Sequence, residues 1–121
     1  MSRYVEVVSN NVILASKARV MKSFLGKARG LMFSKLSGSG GLVFELQTES
    51  RRDAAIHMMF VFSPIDVVWL DAGKKIVDIR RSVLPFIGFA IPKAKAKYVI
   101  ELNRKAARAL RIGDVVDFKE I

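Results

Sequence analysis

The single histidine is the first place to look for reactive chemistry. His57 lies in the apolar run 55–62, and an imidazole works as a general base only when a second group orients it. Asp66 or Glu101 could do so, but no Ser-His-Asp spacing marks a nucleophile. We interpret His57 as structural and predict no catalytic residue, so the chain is expected not to be an enzyme. A small-molecule or enzyme pocket near Arg29, His57 and Asp66 stays open as an alternative.

The residue types that bind metals and cofactors are scarce. The chain has no cysteine and one histidine, so neither a thiolate site nor a pair of imidazoles can form. The glycine-rich run 37–41 lacks the Lys-Ser/Thr ending of a phosphate loop. We expect no metal and no cofactor.

Asp66 lies near the start of a predicted apolar strand, and its side chain falls on the same face of that strand as those of Val68 and Leu70. A carboxylate there must be hydrogen-bonded or paired. It could accept backbone N–H groups and hold a loop, or pair with Arg29, or act as an acid or base with a perturbed pKa. The structural role is favoured, as it is for Glu101.

Basic residues supply the candidate anion site. Lys93, Lys95 and Lys97 alternate with alanines, so in an extended segment they project from one face. With Arg80, Arg81 and the basic faces of the predicted helices, they could follow a phosphate backbone. Lysine also guards edge strands against unwanted pairing. No run of aromatic residues interleaves with the lysines, and no recognised RNA-binding motif is present.

A strongly apolar stretch, 84–92, contains two prolines and a glycine. It either covers the core or is exposed. If it is exposed, Phe86, Ile87 and Phe89 form an interaction loop suited to a homodimer, a protein partner or an apolar ligand.

A hairpin is expected to position these groups. The run 64–71 is apolar on both faces, as in a doubly covered central strand. A turn at 72–74 joins it to the alternating run 75–79. The segments 4–8 and 12–15 predict two strands, and the asparagines between them suit a tight turn because asparagine tolerates positive φ.

Two stretches have helical spacing. One begins at Lys17 after a Ser16 cap and places Val20 and Met21 on its apolar side. The other runs from Asn103 to Leu110. Further strands are predicted at 41–46, 98–102 and 115–119. The pattern predicts an α+β fold: a mostly antiparallel, strongly curled sheet or small β-barrel with two helices packed outside.

Chain length and net charge limit the number of domains and the kinds of partner that we expect. The 121 residues fit one domain, 1–121, and the net charge is +10. Such a charge attracts nucleic acid, acidic lipids or small anions, although it also serves solubility. No apolar run is long enough to span a membrane, and no signal peptide is apparent. We expect a cytoplasmic protein.

An ordered series of motifs resembles the domain of unknown function 192 family. The series comprises Arg29-Gly30-Leu31-Met32-Phe33, Met58, Pro64 to Asp71, Tyr98 to Leu102, and Ile112-Gly113-Asp114-Val115-Val116. The resemblance implies a compact, β-rich single domain and carries no activity, substrate or cofactor. The family's usual Trp-Met-Lys-Asn-Thr box is replaced here by residues 57–61, His-Met-Met-Phe-Val, so a ligand of relatives cannot be carried over to that position.

The sequence therefore predicts a small non-catalytic binding module whose basic surface engages an anionic partner such as nucleic acid. The first alternative is a protein-interaction or self-associating domain that uses the loop 84–92. The second is the pocket near Arg29, His57 and Asp66.

Overall fold

The computed structural model describes residues 3–22, 40–51, 54, 56–57, 64–84 and 89–121. Strands dominate these residues because β-branched and aromatic side chains fill them. The strands are β1 (Arg3–Ser9), β2 (Val12–Met21), β3 (Gly40–Ser50), β4 (Ile56–His57), β5 (Ile65–Leu70), β6 (Ile76–Val83), β7 (Phe89–Ala90), β8 (Ala96–Asn103) and β9 (Asp117–Glu120).

Seven strands form one open, mixed sheet in the order β6-β5-β8-β3-β2-β1-β9, and β4 and β7 form a separate ribbon. β2 and β3 run parallel, from Lys17 opposite Gly40 to Met21 opposite Phe44. The other pairings in the sheet are antiparallel. Gly41 permits close approach in the middle of the sheet, since a Cβ atom there would lie 3.1 Å from the carbonyl oxygen of Glu101.

The two edge strands of the sheet, β6 and β9, approach each other at one corner. Lys75, just before β6, forms a β-bridge with Val115, just before β9. The N–H of Ile76 donates to the carbonyl of Asp114 (2.8 Å), and the N–H of Val116 donates to the carbonyl of Lys74 (2.9 Å). The sheet therefore curls around its inner face, which is filled by apolar side chains from β1, β2, β3, β5, β6 and β8 together with Ala107, Leu110 and Val116.

A second apolar cluster covers the outer face of β3, β8 and β5 and includes Phe44, Val67, Trp69 and Val99. All six residues of β5 are buried, which confirms the predicted doubly covered strand. The indole Nε1 of Trp69 donates to the carbonyl of Ala54 (2.7 Å), so the one polar atom of this large side chain is satisfied inside the cluster.

The predicted α+β fold with two helices packed outside is wrong for this part of the chain, which contains no helix. Where a helix was expected from Lys17, β2 continues to Met21. Its register pairs Val20 with Arg3 on one side and with Val43 on the other. Hydrogen bonding to two neighbouring strands outweighs the helical spacing of the apolar residues, which a short strand also satisfies.

The second expected helix is a series of turns. The N–H groups of Ala106, Arg108 and Leu110 donate to the carbonyls of Asn103, Lys105 and Ala107, three residues earlier in each case. Lys105 has a φ of 74°, which an α-helix does not allow. The N–H of Ala107 donates to Asp66 instead of to a carbonyl one helical turn back. No helix in the described ranges is long and apolar enough to cross a bilayer.

Candidate functional site

Asp66 joins two parts of the chain that the sheet does not pair. Its side chain has 0% exposure. Oδ1 accepts the N–H of Ser82 at 2.9 Å, and Oδ2 accepts the N–H of Ala107 at 3.0 Å. Ser82 lies at an irregularity of the β5–β6 pairing and has a φ of 55°. The carboxylate thus fixes the end of β6 against the turns that follow β8.

Both of these joined segments are basic. Arg80 and Arg81 immediately precede Ser82 and are exposed, and the turns carry four exposed basic residues. Arg81 strengthens the junction, because its Nε donates to the carbonyl of Ala107 (3.2 Å) and its Nη2 to that of Leu110 (2.7 Å). We call this group the basic corner; it consists of Arg81, Arg104, Lys105, Arg108 and Arg111. Arg80 pairs with Val67 and therefore projects from the other face of the sheet.

The charge of the basic corner is poorly balanced by nearby carboxylates. The one ion pair between described residues joins Arg3 to Glu120, away from this surface. Asp66 is fully buried behind it. Asp114 accepts the N–H of Arg111 and the side-chain amide of Asn10. Five exposed basic residues therefore lie beside one partly buried and one buried carboxylate, which is an arrangement suited to holding an anion.

The three predicted ribbon lysines have different environments. Lys93 and Lys95 are exposed, and Lys97 is half-buried. The backbone N–H of Lys93 donates to Oδ2 of Asp78 on β6 (2.9 Å), whereas the ammonium of Lys97 donates to the carbonyl of Gln47 on β3 (2.9 Å). The segment therefore reaches across the sheet, and the Lys97 ammonium is already engaged with the backbone.

The other candidate sites are only partly described. Arg29, Phe86 and Ile87 lie outside the described residues. The backbone of His57 pairs with that of Phe89 in the β4–β7 ribbon. Asp66 is described, and both of its carboxylate oxygens accept backbone N–H groups. The pocket near Arg29, His57 and Asp66 and the interaction loop stay predictions.

A second polar cluster lies where β8, β9 and β1 approach one another. Burial raises the pKa of Tyr98, Glu45 raises it further, and Arg3 opposes both. The hydrogen bond that the Arg3 guanidinium donates to the Glu120 carboxylate raises the pKa of Arg3. The Tyr98 ring meets Phe118 edge to face at 5.4 Å, and the ammonium of Lys74 lies 5.1 Å from the Phe118 ring centroid. These contacts fasten β9 to the inner face.

Four members of the basic corner entered the predicted anion site only as part of the basic face of a helix. The sequence placed Arg104, Lys105, Arg108 and Arg111 on the outer face of a helix. The sequence shows that these four basic residues fall within eight positions. Their proximity to Arg81 depends on the hydrogen bonds of Asp66 and Arg81, which no sequence pattern reveals. No three His, Cys, Asp or Glu side chains in the described part are grouped as metal ligands.

Comparisons with known proteins find sequence relatives over most of the chain. Residues 5–118 match the family model DUF192, Uncharacterized ACR. A UPF0127 protein of Pyrococcus horikoshii is 40% identical over 103 residues, 85% of this chain and 86% of the relative. A UPF0127 protein of Thermococcus sibiricus is 35% identical over 109 residues, covering 88% and 69% of the two chains.

A third relative, the UPF0127 protein of Thermococcus kodakarensis, is 36% identical over 104 residues, which are 84% of this chain and 64% of that relative. The chain thus spans about two thirds of the length of the Thermococcus relatives.

Two crystal structures share the fold. One, a candidate transcription regulator from Sinorhizobium meliloti 1021, has a TM-score of 0.83 and 16% identity, with 98% of this chain and 94% of that chain covered. The other, a protein of unknown function from Novosphingobium aromaticivorans, has a TM-score of 0.80 and 18% identity, with 96% and 84% covered.

Proposed function

The chain belongs to the uncharacterised DUF192 family, and we propose that it is a single-domain, non-catalytic binding module that engages nucleic acid through the basic corner. The observation that carries the proposal is the junction made by Asp66. One buried carboxylate holds two arginine-rich segments side by side while its own charge is satisfied by backbone donors.

The chemistry of the basic corner favours phosphate groups as the ligand. Guanidinium groups match phosphate oxygens with pairs of parallel donors, and four of the five residues are arginines. Arg81 is held by two backbone carbonyls, so part of the site is already ordered before a ligand binds. The net charge of +10 adds long-range attraction for a polyanion.

The expected mode of binding is contact with the phosphate backbone. Among the residues whose side chains the structure describes, the exposed large apolar ones are all aliphatic, so this part of the surface offers no aromatic platform on which unpaired bases stack. The Sinorhizobium protein's description as a candidate transcription regulator supports a nucleic-acid partner only through the shared fold. We place the module in the cytoplasm, where a chain without cysteine is compatible with reducing conditions.

Fluorescence anisotropy with a short labelled DNA duplex and an RNA of equal length, at rising salt, tests the proposal. The double variant Arg104→Gln/Arg108→Gln should lower affinity by about tenfold and reduce the slope of log K against log salt by roughly two. The matched control is Arg19→Gln/Lys119→Gln, which removes the same charge from exposed positions on β2 and β9.

The control should lose much less affinity than the test variant. Equal losses in the two variants would mean that only the total charge matters and that the basic corner is not a site. Absence of binding to either nucleic acid at low salt would contradict the proposed function as a whole.

A further inference from the structure

The guanidinium of Arg81 binds a distant part of the chain. Its Nε donates to the carbonyl of Ala107 (3.2 Å) and its Nη2 to that of Leu110 (2.7 Å). The guanidinium of Arg108, by contrast, donates within its own turn, to the carbonyl of Lys105 (3.2 Å). The side chain of Arg81 therefore joins the end of β6 to the turns that follow β8.

The two carbonyls that Arg81 bridges lie on either side of Arg108 in the sequence. The carbonyl of Ala107 also accepts the N–H of Leu110 (3.1 Å), so it belongs to the turn that carries Arg108. A guanidinium presents its donors in a rigid, planar fork, which holds two acceptors in a fixed relation. A lysine ammonium is a point charge on a flexible stem. Arg81 therefore fixes the shape of this turn in a way that a lysine of equal charge would not.

A second set of contacts holds the same turn. The N–H of Ala107 donates to the buried carboxylate of Asp66 (3.0 Å), and the side chains of Ala107 and Leu110 are buried in the inner core. Both the N–H and the carbonyl of Ala107 are thus bound by side chains from β5 and β6. The exposed cations of the turns stand on a backbone that is held from several directions.

Order that exists before binding affects affinity. A ligand that meets a mobile segment must order that segment, and the loss of conformational freedom weakens binding. A segment that is already held in its binding shape avoids this loss. Long-range attraction, in contrast, depends on the number of charges and not on which basic side chain carries them. An exchange of arginine for lysine at position 81 separates the two contributions.

Resting on the proposed binding of nucleic acid, we propose that Arg81 is the positioning residue of the basic corner. It holds the turns after β8 in the shape in which their four exposed cations contact phosphate groups. Its effect on the ligand passes through the backbone of Ala107 and Leu110. This role goes beyond a contribution of charge, because it depends on the fork of donors that a guanidinium provides.

Arg81→Lys tests the proposal, because it keeps the charge and removes the fork. Fluorescence anisotropy with the labelled DNA duplex, under conditions in which urea unfolding shows each protein to be folded, should give about fivefold weaker binding than the wild type. The slope of log K against log salt should not change, since the bound variant makes the same phosphate contacts. The matched control is Arg19→Lys, at an exposed position on β2 outside the basic corner, and it should bind as the wild type does.

Amide hydrogen exchange gives a second readout. In the free protein the N–H groups of Arg108 and Leu110 should exchange faster in Arg81→Lys than in the wild type, and bound DNA should remove most of the difference. Wild-type affinity or wild-type exchange in Arg81→Lys, a salt slope reduced by about one, or an equal loss of affinity in Arg19→Lys would overturn the proposal. Absence of binding by the wild type at low salt would instead contradict the proposed function, so the two failures are distinguishable.

Discussion

Buried carboxylates replace missing strand pairing at two places in this protein. Asp66 accepts one backbone N–H on each oxygen, and so does Asp78, whose donors belong to Ile79 and Lys93. Charged acceptors form stronger hydrogen bonds with N–H groups than neutral ones do. Each residue therefore links a strand of the sheet to a segment that has no strand partner there.

Replacing Asp66 should reveal how much of the fold depends on this link. In Asp66→Asn one side-chain atom becomes a donor that faces an N–H group, so one buried hydrogen bond is lost and two donors repel. We expect the free energy of unfolding in urea to fall by about 2–4 kcal/mol. Asp117→Asn, at an exposed carboxylate, should change it by less than about 0.5 kcal/mol. Equal stability of the two variants would refute the assigned role.

Tyr98 should make stability depend on alkaline pH. Burial raises its pKa above the ordinary value of 10.0, so the folded state keeps the phenolic proton after the unfolded state has begun to lose it. This stabilisation is complete below pH 10.0 and disappears as the pH rises through the folded-state pKa.

Tyr98→Phe keeps the ring against Phe118 but removes the ionisable hydroxyl. Its loss of stability above pH 10.0, measured by urea unfolding, should be smaller than that of the wild type. Parallel curves for the two proteins across that range would contradict the predicted linkage.

At the scale of elements, the end of β6 and the turns after β8 both contain a backbone conformation that is unusual for its residue. Lys105 and Ser82 both have positive φ without being glycine, and both lie beside the Asp66 junction. A left-handed conformation of this kind carries strain for a side chain with a Cβ atom.

Lys105→Gly should relieve this strain and raise the free energy of unfolding by about 0.5–1 kcal/mol, despite the greater freedom of glycine in the unfolded chain. Arg104→Gly removes the same charge at a neighbour whose φ is not positive, and it should destabilise the protein. Thermal unfolding of both variants checks the contrast, and loss of stability in both would argue against strain at position 105.

The same elements show which structural features local sequence patterns can predict. Local patterns predicted the β1–β2 turn, where Asn10 and Asn11 adopt positive φ, and the β5–β6 hairpin with its doubly covered first strand. They failed where a distant partner decides the outcome. The residues after Lys17 suit a helix or a strand by spacing, and the neighbours β1 and β3 make them a strand. The position of the basic turns beside the end of β6 was not predicted, because Asp66 and Ala107 are 41 positions apart.

At the scale of the whole molecule, uncompensated positive charge should limit stability. The net charge is +10, and the described residues contain a single ion pair, so folding gathers charges that repel one another. Sodium chloride screens such repulsion over roughly 8–10 Å at moderate concentration.

The melting temperature should therefore rise with added sodium chloride, by roughly 4 °C for each 1 kcal/mol that screening restores. The rise should be smaller in Arg19→Gln/Lys119→Gln, which carries less charge. A melting temperature that is flat or falls with salt would show that repulsion is not limiting.

The pairing of β1 with β9 also constrains how the chain reaches this structure. The hydrogen bond between Arg3 and Glu120 spans 117 positions, and Val5 faces Glu120 across the ladder. During synthesis on a ribosome, the N–H and C=O groups along one edge of β1 stay without their native partner until β9 has emerged. Nascent chains stalled before residue 117 should therefore expose a β1 edge that can recruit neighbouring chains or chaperones.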